Sequence, residues 1–203
     1  MGLFDIFKGK KGAGGSSADK WAERAGDKRA QPYDRQEALN ELASLGTKES
    51  AAALLKRFTF VVDPSITDQE EKELAFQGVL KAGRAAIEPI RAFSEKAESI
   101  AWPVRILKEI MTQDELVSEL TTWLGRWDTE YAKFIDPKLQ LLAALEDYKN
   151  EKVREAVLPF LEDVNEPARY HATLTLLAQD AHESIQNALV TAFVAEESMR
   201  IKT

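Results

Sequence analysis

The side chains able to do covalent or acid–base chemistry are few and poorly grouped. The chain has no cysteine, which removes disulfides, thiolate nucleophiles and cysteine-ligated metals. Its two histidines, His171 and His182, have no histidine partner at helical spacing and no HExxH pattern. Each therefore reads as a structural residue and not as a zinc ligand. There is no phosphate-binding glycine loop, no GxSxG elbow and no dinucleotide fingerprint. The densest carboxylate group is Asp68, Glu70, Glu71 and Glu73. It suits the first turns of a helix, where negative charge complements the dipole. The pattern points to no catalytic residue, no metal ligand and no cofactor site.

Recognition chemistry is better represented. Trp123, Trp127, Tyr131 and Phe134 follow a spacing of 4, 4 and 3, which puts them on one face if a single helix carries them. They form either part of the core or an aromatic docking patch. Phe60 and Val61 fall within residues 58–66, the largest break in periodicity, which is either a packed connection or a binding loop. Near the start, Leu3, Phe4, Ile6 and Phe7 precede Lys8, Lys10 and Lys11. Such a tip suits an anionic membrane surface, at about 1 kcal/mol per lysine, or a groove, including one on its own body. A Gly/Ser-rich linker follows at 12–18.

These groups must be held by 203 residues, of which 44% are apolar and 30% charged, the composition of a folded domain. The net charge of −7 is the wrong sign for binding nucleic acid over a broad surface. The charge is also uneven. Residues 1–31 carry seven basic and four acidic side chains, leaving 20 basic and 30 acidic for the rest, so a +3 tip sits on a −10 body. No stretch approaches the ~20 apolar residues that span a bilayer, and the start is not a secretory signal. The expectation is a cytoplasmic protein, with peripheral membrane contact through the tip as one option.

From about Pro32 the periodicity is helical throughout. Ala38, Leu39, Leu42 and Leu45 share one face, with Asp34 as N-cap and Gly46 as the stop. Comparable pairs of helices recur downstream, giving five pairs and about ten helices with no period-two alternation. A basic residue opens each first helix: Arg35, Lys72, Arg105, Lys138, Arg169 and Arg200. Their intervals are 37, 33, 33, 31 and 31 residues, and self-similarity at this period marks a solenoid. Leu42, Leu55, Leu107, Leu142, Leu158 and Leu174 are expected between pairs. Phe193 and Val194 are expected to lack a covering helix.

Two strings carry a family likeness. Asn150, Val153, Arg154 and Ala156 form one, and Asn165, Ala168, Arg169 and Ala172 form the other. Both resemble the HEAT-repeat consensus in its short bacterial form, and 157–163 and 87–90 resemble its second helices. The likeness covers roughly 32–203 and implies an all-α, right-handed α-solenoid of about five pairs, with 1–31 as a flexible segment. It also implies bridges between the recurrent Asp or Asn and the Arg, carried over to Asn165 with Arg169 and Asp34 with Arg35. A repeat scaffold offers extended surface, so the leading expectation is a non-catalytic adaptor for a protein or peptide. The alternatives are a role like that of the phycobilin lyases, whose repeats these resemble, and a nucleic-acid-binding HEAT-like protein, which the acidic body disfavours.

Overall fold

In the computed structural model the residues described are 17–203, apart from Ala181, and among them every regular element is helical. The tip residues Leu3, Phe4, Ile6, Phe7, Lys8, Lys10 and Lys11 lie outside the described residues. The helices are α1 (Ser17–Ala25), α2 (Pro32–Leu45), α3 (Lys48–Leu55), α4 (Ser65–Ala82), α5 (Ile87–Ser94), α6 (Ala101–Ile110), α7 (Gln113–Leu124), α8 (Asp136–Leu145), α9 (Glu151–Val157), α10 (Glu166–Leu177), α11 (Glu183–Ala195) and α12 (Met199–Lys202). Short 3₁₀ turns continue α3 and α9 and lead into α5. None of the described helices is long and apolar enough to cross a membrane.

Local chemistry sets the ends. Capping boxes start α3 (Thr47 with Ser50) and α7 (Thr112 with Glu115). Asn150 caps α9 through the Lys152 amide, and His182 caps α11 through the Ser184 amide. Gly46 ends α2 at φ 61°, a left-handed conformation that favours glycine. Asp34 is not the N-cap of α2. Pro32 occupies the first turn, where its fixed φ and missing N–H suit a helix start, and this moves the N-cap three residues earlier, to Gln31.

The helices pack in two chains of contact. α2 packs on α4, α4 on α6, α6 on α8, α8 on α10 and α10 on α12, while α3 packs on α5 and α7 on α9. Leu42, Leu55, Leu107 and Leu142 are buried. Leu158 is half-buried, and Leu174 is turned outward on α10. A close approach occurs at Gly78 in α4, where a Cβ would stand 2.6 Å from Leu54 Cδ1 and 2.8 Å from Ala43 Cα. Only glycine lets α4 sit this deeply against α2 and α3.

The helical body begins earlier than residue 32. α1 packs on α2 and α3 with Ala25 fully buried and Trp21 and Ala22 half-buried against the core. Those three positions are one helical face, so residues 17–31 belong to the body and not to a flexible segment.

Three of the six periodic cations share one geometry. Each sits near the start of a first helix, donates backward to a main-chain carbonyl in the preceding loop, and reaches forward to a carboxylate. Arg35 donates to Ala30 O (2.7 Å) and Glu71 (2.7 and 2.9 Å). Lys138 donates to Asp128 O (3.3 Å) and Asp163 (2.6 Å). Arg169 donates to Asp163 O (2.8 Å) and Glu196 (2.8 and 3.0 Å). Asp163 and Glu196 follow a second-helix segment with nearly the same backbone, φ −61°, ψ 139° and φ −68°, ψ 137°. Each also accepts amide N–H groups leading into the next helix, from Asn165 (2.8 Å) and from Ser198 (2.8 Å). One ion pair thus joins a first helix, the end of its partner and the start of the following pair.

In the first pair the roles are redistributed. Buried Arg57, at the end of α3, and Arg35 both bind Glu71 of α4, and Arg57 also binds Asp68 (2.7 Å). Burial pushes the Asp68 carboxyl up, but hydrogen bonds from Lys72, Arg57 and the Val62 amide outweigh it and hold the group below its usual value. The other three cations sit differently. Lys72 pairs with Asp68 one turn back, Arg105 with Glu73, and Arg200 with Glu166 at 3.6 Å. The bridges carried over from the family likeness do not form in the expected way. Arg35 and Asp34 are adjacent on a helix and diverge, while Asn165 bonds Asp163 and leaves Arg169 to Glu196.

Two outcomes test these clasps. Asp163→Ala leaves the fully buried Lys138 ammonium without its counter-charge and is expected to cost ~3–5 kcal/mol in urea unfolding. Lys138→Met in turn strands the equally buried Asp163 carboxylate, so only the double variant Lys138→Met with Asp163→Asn, which removes both charges, should cost less. The Glu196 carboxyl is held at about 2, against an ordinary 4.5, by the Arg169 guanidinium, with burial opposing and the Ser198 and Glu197 amides assisting. A depressed acid stabilises fully above its unfolded value and loses that contribution as pH falls through its folded value. Glu196→Gln is therefore less stable than wild type at pH 7, and thermal melts should show the gap closing between about pH 5 and pH 2.

Candidate functional site

An open concavity lies between the α5–α6 turn and the loop joining α7 to α8. It encloses about 780 Å³, and its apolar walls are Ala97, Ile100, Trp123, Trp127, Phe134 and Leu141. Glu95, Lys96, Glu98 and Arg126 supply charge at the same site, and Arg126 lies 3.6 Å from Glu95. Ser94 also lines it, and its buried Oγ has no hydrogen-bond partner.

Each wall is fixed by a specific contact. Trp123 sits at the end of α7, and its indole N–H donates to Glu119 at 2.7 Å. Glu119 in turn accepts two bonds from Arg91 of α5 (2.9 and 2.5 Å). That guanidinium is the main reason the Glu119 carboxyl lies below its usual value; burial opposes it and the Trp123 N–H adds to it. The opposite wall is pinned by Gln140 of α8, whose side-chain oxygen accepts the Ile100 amide at 2.6 Å. The α7–α8 loop is tied down where the Val164 amide donates to Thr129 O (3.0 Å) and Lys138 to Asp128 O. The ladder cation Lys138 therefore helps to shape the groove.

The aromatic residues do not share one helical face, because α7 stops at Leu124 and Trp127 is carried on the turn that follows. Trp123 is buried, Trp127 half-buried, and both enter the groove. Tyr131 does not line it and stands 78% exposed on the loop. Phe134, three residues before Pro137, takes the wall position. Phe60 and Val61 belong elsewhere. Arg57 lies 4.5 Å over the Phe60 ring and bonds its carbonyl, and the Val62 amide is held by Asp68. The 58–66 segment is a packed connection in which Val61 alone of the two is exposed.

The remaining reactive groups are committed to structure. His171 Nδ1 lies 2.6 Å from Glu146, and His182 caps α11. Of the carboxylate cluster at 68–73, Asp68 and Glu71 are buried in the arginine clasp, and Glu73 pairs with Arg105. Among the described residues no group of three or more His, Asp or Glu is arranged to hold a metal. The groove's chemistry is apolar contact and ring stacking, with charged groups of both signs beside it. Compared with known proteins, the chain matches no family model, no curated protein and no solved structure.

Trp123 should depend on its polar edge as well as its bulk. Trp123→Phe keeps a ring in place but removes one of the three bonds Glu119 accepts, leaving the two from Arg91, and a loss of ~1.5–3 kcal/mol is expected for one hydrogen bond to a charged group. Trp127→Phe, on the half-exposed side, should lose under ~1 kcal/mol in the same urea titration.

Proposed function

We propose that this chain is a non-catalytic adaptor, a right-handed α-solenoid of about five HEAT-like pairs that receives a peptide or protein segment in the Trp123–Trp127–Phe134 groove. The groove itself carries the reading. Two tryptophans and a phenylalanine around about 780 Å³ supply the large, rigid contact area that concentrates binding energy at interfaces. The charged groups Glu95, Lys96, Glu98 and Arg126 offer orientation to a peptide backbone or side chain. The solenoid reading is supported by the alternate-helix contacts from α2 to α12 and by the cation geometry repeated at Arg35, Lys138 and Arg169.

Selection of a displayed random-peptide library on the full chain tests the proposal. Enriched peptides should quench or shift tryptophan emission on titration. Trp127→Ala and Phe134→Ala should each weaken their binding at least ~tenfold. Peptides that bind both variants as tightly as wild type, or a library that yields no binder, would remove this groove as the site.

A further inference from the structure

If the groove is a peptide site, its donors and its charge restrict the backbone it can hold. The two indoles differ. The Trp123 N–H is taken by Glu119 at 2.7 Å. The Trp127 N–H meets no acceptor among the described residues. There, Ser94 Oγ is the single sealed side-chain polar atom left without a partner, so the Trp127 donor is open to solvent. Trp127 is half-buried in the groove wall. It therefore offers an apolar ring and a free hydrogen-bond donor at the same place.

Three peptide conformations can meet a protein surface of this kind. A helix spends its carbonyls on its own N–H groups and leaves none along its length for the Trp127 donor. A β-strand needs a sheet edge, and every regular element among the described residues is helical. A polyproline II segment has no internal hydrogen bonds, so its carbonyls are free to accept. Proline adds two advantages. It has no N–H and so strands no donor against the apolar walls Ala97, Ile100 and Leu141. Its fixed φ also reduces the entropy lost on ordering.

The charge of the site agrees. Glu95 and Glu98 are matched in number by Lys96 and Arg126, and Arg126 lies 3.6 Å from Glu95. The loop that carries Phe134 adds Lys133, 5.0 Å over the Phe134 ring, together with Asp128 and Glu130. Four acids and three bases leave a single negative charge. A surround this close to neutral favours an uncharged segment over a strongly basic or acidic one.

We propose that the partner is a proline-rich segment in the polyproline II conformation, with one carbonyl accepting the Trp127 N–H and proline rings packed on Trp127 and Phe134. This rests on the groove being the peptide site.

Fluorescence anisotropy tests it, with the full chain titrated into a labelled, uncharged proline-rich decapeptide and into an alanine–glutamine decapeptide. The proline peptide should bind saturably, and the alanine–glutamine peptide at least ~tenfold more weakly. Trp127→Phe keeps a ring and removes the donor. It should weaken the proline peptide about three- to tenfold, the range of one hydrogen bond, with circular dichroism unchanged. Equal binding of the two peptides overturns the proposal, as does a Trp127→Phe variant that binds the proline peptide like wild type. If the proline peptide fails while library-selected peptides without proline still depend on Trp127 and Phe134, the polyproline assignment falls and the groove reading stands. Failure of both sets of peptides removes the groove as the site, and the assignment with it.

Discussion

The helices α2 and α8 can be placed only if their buried cations, Arg35 and Lys138, find carboxylates from different elements. Arg35, Arg57 and Lys138 are among the largest fully buried side chains, and a charge taken out of water is tolerable only when paired and hydrogen-bonded. The clasp satisfies that requirement and fixes geometry together. Lys138 meets Asp163 across 25 residues and Arg169 meets Glu196 across 27, with the same carboxylates receiving the amides that start the next helix. A helix shifted by one turn would strand a charge. The clasps therefore specify which helix follows which, a role that apolar packing, indifferent to small slides, fills less strictly.

The groove lies where that device changes character. At the junctions around α5, α6 and α7 the arginines of the ion pairs reach solvent: Arg84 with Glu115, Arg91 with the half-buried Glu119, and Arg105 with Glu73. Aromatic packing takes over there, with Phe58 stacked on Trp102 at 5.1 Å and Arg105 lying over both Phe76 and Trp102. The α7–α8 connection is free to be long, and it is pinned at Thr129 and Asp128 while Phe134 and the Trp127 ring face the cavity. A scaffold held rigidly at Arg35, Lys138 and Arg169 thus presents an irregular loop in its middle, the usual division between a framework and a binding surface.

The two edges show how the same packing logic leaves different surfaces. α1 sets Trp21, Ala22 and Ala25 against the body and leaves charged side chains outside, which makes that edge polar. α11 has the apolar content of an interior helix, yet Val190, Phe193 and Val194 point away from the core. The edge formed by α1 is therefore polar and the surface of α11 apolar.

The all-helical class, the helices from α2 to α11 and the stop at Gly46 were legible in the sequence, because periodicity, turn residues and composition are local properties. Trp123 and Trp127 were legible as recognition candidates for the same reason, though as members of a single face that does not exist. What only the tertiary structure decided was every pairing at long range. It chose Glu71 over Asp34 for Arg35 and Glu196 over Asn165 for Arg169, put Phe134 in the groove in place of Tyr131, drew Phe60 into a packed connection, and made α1 part of the body. It also gave Gly78 its meaning, since a glycine inside a helix reads as a weakness until another backbone is seen within van der Waals reach. Side-chain spacing along a chain fixes which face a residue occupies. Which partner it meets depends on how separate helices are brought together, and that is settled by burial and by the need to neutralise every charge that burial removes from water.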